Sequence, residues 1–315
     1  MKNRTILITG GAGFLGRNLV ECLCESNHVI VIDNSRQKIA AIAKSKRIQT
    51  ICCDAKEINN ISLPKRIDYV FHLAAIVGVD RVSKDPESVL FDEVSNIQAI
   101  VKFALRHKSI RRIVYSSSSS VYGDTSEKVA ESTRKEPIGT YGAAKLLAEK
   151  YLQEKLKGVC PFNIFRFFNL YGPYQKDEMV TMRFFKQAMS ESPITVFGNG
   201  TQTRDFTYVT DAADAIIKIA EMKRATNETF NIGTGIEHPI NQLAHMITNM
   251  TNSTSRIMHF PAPKARMTYE IKRRCCNPNK LKMFGLRVSI PLSVGLKRTY
   301  DWLIQQEPTD SELTE

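Results

Sequence analysis

The chain lacks any apolar run near the ~20 residues a bilayer-spanning helix needs, so no helical membrane span is expected. Its start, "MKNRTILITGGAGFLG", leads directly into structure without a signal-peptide core, and a cytoplasmic protein is the expectation. No C-x-x-C pair is present. The seven cysteines (Cys22, Cys24, Cys52, Cys53, Cys160, Cys275 and Cys276) are odd in number and scattered, which argues against a zinc site or a disulfide framework and for mostly reduced core thiols. The six histidines include no H-x-x-x-H pair, and no metal is expected. There is no internal repeat and no long linker, so two lobes sharing one tight cleft are expected.

What is present is the balance of a globular domain: 315 residues, 43% hydrophobic and 24% charged. The net charge of +12 raises the possibility of nucleic-acid binding. The charge is poorly focused, however. "KSKR" (44–47) and "IKRRCC" (271–276) are the densest basic stretches, and neither carries a nucleic-acid module. An anionic small substrate or a membrane-surface encounter would use the same field.

From residue 5 to about 167, short β-branched runs alternate with longer amphipathic stretches, the pattern of βαβ units feeding a parallel sheet. Strands are predicted at 5–9, 28–33, 47–52, 67–73, 111–117 and 162–168, and helices at 86–107 and 142–156. After residue 170 the chain turns to short strands, glycines and shorter helices, including one at 211–222. The expected fold is α/β: a doubly wound parallel Rossmann sheet with a smaller, partly interleaved C-terminal substrate-binding lobe. The first unit takes 1–168 plus about 208–233, and the lobe takes 169–207 and 234–315.

"TILITGGAGFLG" places Gly10, Gly13 and Gly16 directly after the first strand. Such glycines let backbone amides approach a pyrophosphate at a helix N-terminus, where the helix dipole favours negative charge. Asp33 ends the second strand, about 20 residues on, where a carboxylate accepts the adenosine ribose hydroxyls. Its charge opposes a 2'-phosphate and favours NAD over NADP, although Arg36 lies close by in sequence. Asp54, ending the third strand, could reach adenine or cap a loop.

"TYGAAK" sets Tyr141 and Lys145 four apart on one helix face. A phenol of reference pKa about 10 is a poor base at neutral pH. A nearby ammonium and a positive nicotinamide ring would bring it toward the working range.

With these pieces together, the chain resembles the extended short-chain dehydrogenases/reductases of the NAD-dependent nucleotide-sugar epimerase and dehydratase group, of which UDP-glucose 4-epimerase is typical. "TGGAGFLG", "HLAA" (72–75), "SSSSSVYG", "YGAAK", "FFNLYGP" (167–173) and "GNGTQTRDFTYVTD" (198–211) follow the family's order and spacing over nearly the whole chain. The resemblance implies NAD as cofactor, held by Gly10, Gly13, Phe14, Leu15, Gly16, Asp33, Asn34, Asp54, Ala55, Leu73, Ala74, Ala75 and Phe168 together with Tyr141 and Lys145. In the family the catalytic Ser or Thr lies four residues before the Tyr of "VYG", which selects Ser118 from the five-serine run. It then implies that Ser118 hydrogen-bonds the substrate hydroxyl, Tyr141 exchanges its proton and Lys145 holds the nicotinamide ribose. The other serines satisfy local backbone or touch the cofactor.

Family dehydratases place Asp and Glu directly after that Ser or Thr, and decarboxylases usually carry Glu at the second of those positions. This chain has Ser119 and Ser120. The expectation is therefore an NAD-dependent 4-epimerase of a nucleotide sugar, most simply a UDP-sugar. A dehydratase, decarboxylase or reductase on the same scaffold is the alternative, and a non-catalytic NAD- or RNA-binding protein is the alternative of another class. Arg204 and Arg266 are implied as diphosphate clamps, their planar guanidiniums pairing with phosphate oxygens, and Asn169 as a further substrate contact. Arg204 could instead pair with Asp205 or Asp211. Arg273 and Arg274 either recognise a uronic-acid carboxylate or form a solvated basic face. Glu93 stands where many relatives carry Asn, either altering support of the active-site loop or lying on the surface. Relatives commonly dimerise through two helices, here 86–107 and 142–156, so a homodimer is expected.

Overall fold

The computed structural model describes residues 1–75, 82, 85–263 and 271–306. Arg266 lies outside them. The chain begins β1 (Thr5–Thr9), α1 (Phe14–Cys24), β2 (His28–Asp33), α2 (Arg36–Ala40), β3 (Ile48–Cys52) and β4 (Tyr69–His72). It continues with α3 (Pro86–Arg106), β5 (Arg112–Ser118), α4 (Thr140–Leu156), β6 (Phe162–Phe167) and β7 (Asn169–Tyr171). The rest is shorter: α5 (Val180–Met189), β8 (Ile194–Phe197), β9 (Thr203–Arg204), β10 (Phe206–Tyr208), α6 (Val209–Glu221), β11 (Glu228–Ile232) and β12 (His238–Pro239). Then follow α7 (Ile240–Met250), β13 (Ile257–Phe260), β14 (Arg273–Arg274), α8 (Asn279–Met283) and α9 (Leu292–Gln306).

Seven strands form one parallel sheet in the order β11-β6-β5-β4-β1-β2-β3. Ile6, Leu7 and Ile8 are all fully buried, because helices cover both faces, and a strand covered on both sides reads as a continuous apolar run. One apolar layer packs β1 and β2 against α1 and α6, and the other packs the opposite face against α3 and α4. A third cluster, containing Tyr171, Phe184, Phe185, Leu243 and Leu296, gives the C-terminal elements their own core. The direction of the strand order reverses at β1, whose neighbours are β2 and β4. Ligands in such sheets bind in the crevice outside the strand ends at that point.

The helix α3 is well signposted: the Asp85 side chain accepts from Ser88 N–H at 3.0 Å and Pro86 occupies the first turn. Its inward stripe is Val89, Glu93, Asn96, Ile97 and Ile100, so Glu93 lies on the buried face and the surface alternative is corrected. The cysteine expectation is also corrected. Cys160, Cys275 and Cys276 are buried, whereas Cys22 and Cys52 are exposed and Cys24 and Cys53 half-buried.

Candidate active site

A cleft of about 580 Å³ runs along the strand ends. It is lined at one end by the β1 glycine turn with Asp33, Asn34, Asp54 and Ala55, and at the other by Ser118, Tyr141, Phe168 and Asn169. Phe14, Leu15, Leu73, Ala74 and Ala75 line it as well.

The glycine turn is shaped for a close approach. Gly10 has φ +68°, and a Cβ there would sit 2.7 Å from the Ala74 nitrogen. At Gly16 a Cβ would meet the Gly10 carbonyl at 2.3 Å, so only glycine lets α1 start hard against the turn. The N-cap of α1 is Gly13, which has no side chain to cap it, and this leaves the first-turn amides to a ligand. Asp33 Oδ2 accepts from Ala12 N–H at 3.2 Å and Oδ1 from Ser35 N–H at 3.0 Å, so the β2 acid braces the turn it follows. Asp54 both lines the cleft and caps a short turn by accepting from Lys56 N–H at 3.2 Å. The buried Asn96 Oδ1, also at the cleft, has no partner among the described residues. A dinucleotide with its pyrophosphate on α1 fits these residues.

The serine run distributes its groups among different partners. The Ser116 carbonyl accepts from Lys145 Nζ at 2.8 Å, and Ser117 Oγ donates to Glu149. Ser118 Oγ accepts from Ser120 N–H at 3.1 Å and donates to Ser120 Oγ at 3.1 Å. Ser120 Oγ accepts from Arg274 Nη1 at 3.3 Å. Two serines therefore meet ionic side chains, where the sequence reading expects backbone or cofactor. The Glu149 carboxylate is itself held by Arg166, with Nε–Oε1 2.9 Å and Nη2–Oε2 2.5 Å, and Arg166 also donates to Tyr122 Oη at 2.7 Å. This buried network anchors β5, β6 and α4 beneath Ser118.

Lys145 points inward. It is 2% exposed, does not line the cleft, and donates to Glu93 Oε1 at 2.9 Å; Glu93 is 4% exposed and also accepts from Tyr115 Oη at 2.6 Å. Burial raises the Tyr141 pKa above its usual value; Lys145 opposes that rise, Glu93 adds to it, and Ser118 and Arg274 oppose it. The sequence reading counts only the lysine and the nicotinamide. It misses Glu93 as the lysine's partner, although an acid on the Val89/Ile97/Ile100 stripe signals burial.

On the substrate side, β9 and β14 pair so that Arg204 lies opposite Arg274. Asp205 is occupied by the N–H groups of Thr234, Gly235 and Cys276, and Asp211 by those of Ser289 and Ile290. Arg204 Nη1 donates to the Thr203 carbonyl at 2.8 Å. Arg273 and Arg274 part company: Arg273 Nε donates to Glu237 at 2.9 Å and faces away, whereas Arg274 lines the cleft. Arg274 Nε is buried without a partner among the described residues, and burial and then Arg204 pull its pKa down to about 10.

A family model for the NAD-dependent epimerase/dehydratase family matches residues 6–233. The chain belongs to that family. It is 34% identical over 270 residues to an uncharacterized UDP-glucose epimerase of Bacillus subtilis, covering 81% of this chain and 84% of the relative. It is 33% identical to a UDP-N-acetyl-alpha-D-glucosaminuronate decarboxylase of Bacillus cytotoxicus, covering 98% of this chain and 99% of that one. A solved UDP-glucuronic acid 4-epimerase of Bacillus cereus, in complex with UDP-glucuronic acid and NAD, superposes with a TM-score of 0.84 at 30% identity, covering 96% of this chain and 99% of the other. The cofactor of this family member is NAD. Among the described residues no helix is long and apolar enough to cross a membrane.

Proposed function

We propose that the protein is an NAD-dependent nucleotide-sugar 4-epimerase. The observation that carries this reading is the distribution of acids along the cleft. Among the described lining residues the carboxylates are Asp33, Asp54 and Asp92; Lys56 lies 4.0 Å from Asp54 and 3.9 Å from Asp92, and Asp33 ends β2 with its carbonyl accepting from Cys53 N–H, next to Asp54. Beside Ser118 stand Ser119 and Ser120, so among the described lining residues the reaction end has no carboxyl pair to remove water from a sugar, and the buried Glu93 and Glu149 beneath it are tied to Lys145 and Arg166. Bound NAD supplies reversible hydride acceptance. The chain's own part is to hold and move one proton: Ser118 orients the sugar hydroxyl, and Tyr141 takes its proton and later returns it. Lys145 supplies positive charge beneath the phenol. Arg204 would hold the diphosphate, joined by Arg266, with Asn169 beside the sugar.

Arg274 favours a particular sugar. A half-buried guanidinium with an enclosed Nε and no carboxylate partner among the described residues, facing another cation across a strand pair, is an incomplete ion pair that an anionic sugar substituent would complete. A uronic-acid carboxylate fits, in keeping with the solved epimerase bound to UDP-glucuronic acid and with the named decarboxylase. The two long helices α3 and α4 carry exposed Phe91, Leu90 and Leu147, apolar surface suited to pairing with a second copy. Incubation with neutral and uronic UDP-sugars, followed by NMR of C4 configuration and mass spectrometry, tests the reading. Inversion at C4 with unchanged mass is expected; loss of water or carbon dioxide contradicts it.

A further inference from the structure

We propose that Glu93 is a positioning residue for proton transfer: it anchors the Lys145 ammonium inside the protein and withholds part of that charge from Tyr141. The functional meaning rests on Tyr141 exchanging the sugar proton; the electrostatic claim stands on geometry alone. Glu93 Oε1 accepts from both Lys145 Nζ at 2.9 Å and Tyr115 Oη at 2.6 Å, all three side chains being buried. The Tyr115 phenol locks the carboxylate in place, being fully buried on β5 and stacked 5.9 Å from His72.

The charges around the phenol can be enumerated from each packed element. From α4 comes Lys145, from α3 Glu93 and from β14 Arg274, while Glu149 of α4 acts on the neighbouring Tyr115. Glu149 is paired to Arg166 of β6. His72 of β4 is neutral, its pKa pushed down to about 3 by burial and then by Lys145. Ser118 of β5 carries no charge and opposes the rise of the Tyr141 pKa. Lys145 is therefore the cation of the phenol's own helix that acts on it, and among the described residues Glu93 is the anion in contact with that lysine. An uncharged side chain at position 93 would leave the ammonium's field on Tyr141 undiminished and its Nζ freer to turn toward a ribose in the cleft. The site as built trades lysine freedom and phenol acidity for a fixed ammonium, so its working pH lies above that of a site with a neutral residue there.

The test reads Tyr141 directly. The ultraviolet phenolate signal of the NAD-loaded enzyme is titrated against Tyr141→Phe as blank, in wild type, Glu93→Gln, Glu93→Asn and Glu93→Asp. The neutral variants should raise the phenolate fraction about tenfold at a pH below the midpoint, which corresponds to a titration midpoint lower by about one pH unit. Glu93→Asp, which keeps the charge, should stay with wild type. A purely structural role would move Asp and Gln alike, or neither, and either result overturns the proposal. A second readout needs no variant at position 93: the Glu93 carboxyl carbon resonance in wild type should change at the Tyr141 midpoint, and a flat response there also overturns it. Absence of turnover on every nucleotide sugar would instead sink the proposed function while leaving these titrations interpretable.

Discussion

Replacing Arg274 by Gln separates the two kinds of sugar that the cleft could accept. The guanidinium lines the cleft, donates to Ser120 Oγ at 3.3 Å, has a buried Nε without a partner among the described residues and lies opposite Arg204 in the β9–β14 pairing. A hydrogen bond to a charged group contributes about 1.5–3 kcal/mol, and about 1.4 kcal/mol is a factor of ten. The variant should therefore lose about 10- to 100-fold in kcat/KM on a UDP-uronic acid. On the matching neutral hexose it should change by less than about threefold, because removing one of two facing cations leaves no buried charge unpaired. The assay is a coupled or NMR-monitored epimerisation run on both substrates with both proteins. Equal losses on the two sugars, or none on the uronic acid, would refute the assignment of Arg274 to a carboxylate and return it to a structural role beside Ser120.

Other outcomes follow from the same geometry. Arg204→Ala should raise the KM for the nucleotide sugar while the protein still copurifies with NAD, checked by kinetics and by cofactor content. Tyr141→Phe should abolish turnover with NAD binding retained, because only the phenolic proton carrier is removed. Acid should destabilise the fold through His72. The folded protein keeps that ring neutral, with a pKa of about 3 against 6.5 for the free side chain. Protons therefore favour the unfolded chain below pH about 6.5, and the group's contribution falls by about 1.4 kcal/mol per pH unit until the folded pKa is reached. Melting temperature measured across that range should drop less steeply in His72→Gln.

The main sheet is legible in the sequence because its strands are buried on both faces. β1 and β2 fall on the predicted residues and β3 to β6 within two of them, since Ile, Val and Phe runs bounded by charged or glycine residues have few other readings. β11 opens with the polar Glu228 and Thr229 and escapes the strand pattern, and two-residue strands such as β9 and β14 are too short to carry any periodicity. That is why the meeting of Arg204 with Arg274 is invisible in the sequence: it depends on a register between segments about 70 residues apart. The glycine turn and Asp33 are legible because a close backbone approach dictates residue type. Glu93 stands out as unusual, yet its consequence depends on Tyr115 and Lys145 arriving from two other elements, which linear spacing does not encode.

In a 4-epimerase a proton leaves the C4 hydroxyl oxygen and a hydride leaves C4 itself, and both return to the same sugar with nothing eliminated. A UDP-uronic acid deuterated at C4 tests this most directly. The inverted product should keep its deuterium on C4 and its full carbon count. Deuterium lost to solvent, or a product short by water or carbon dioxide, would contradict it.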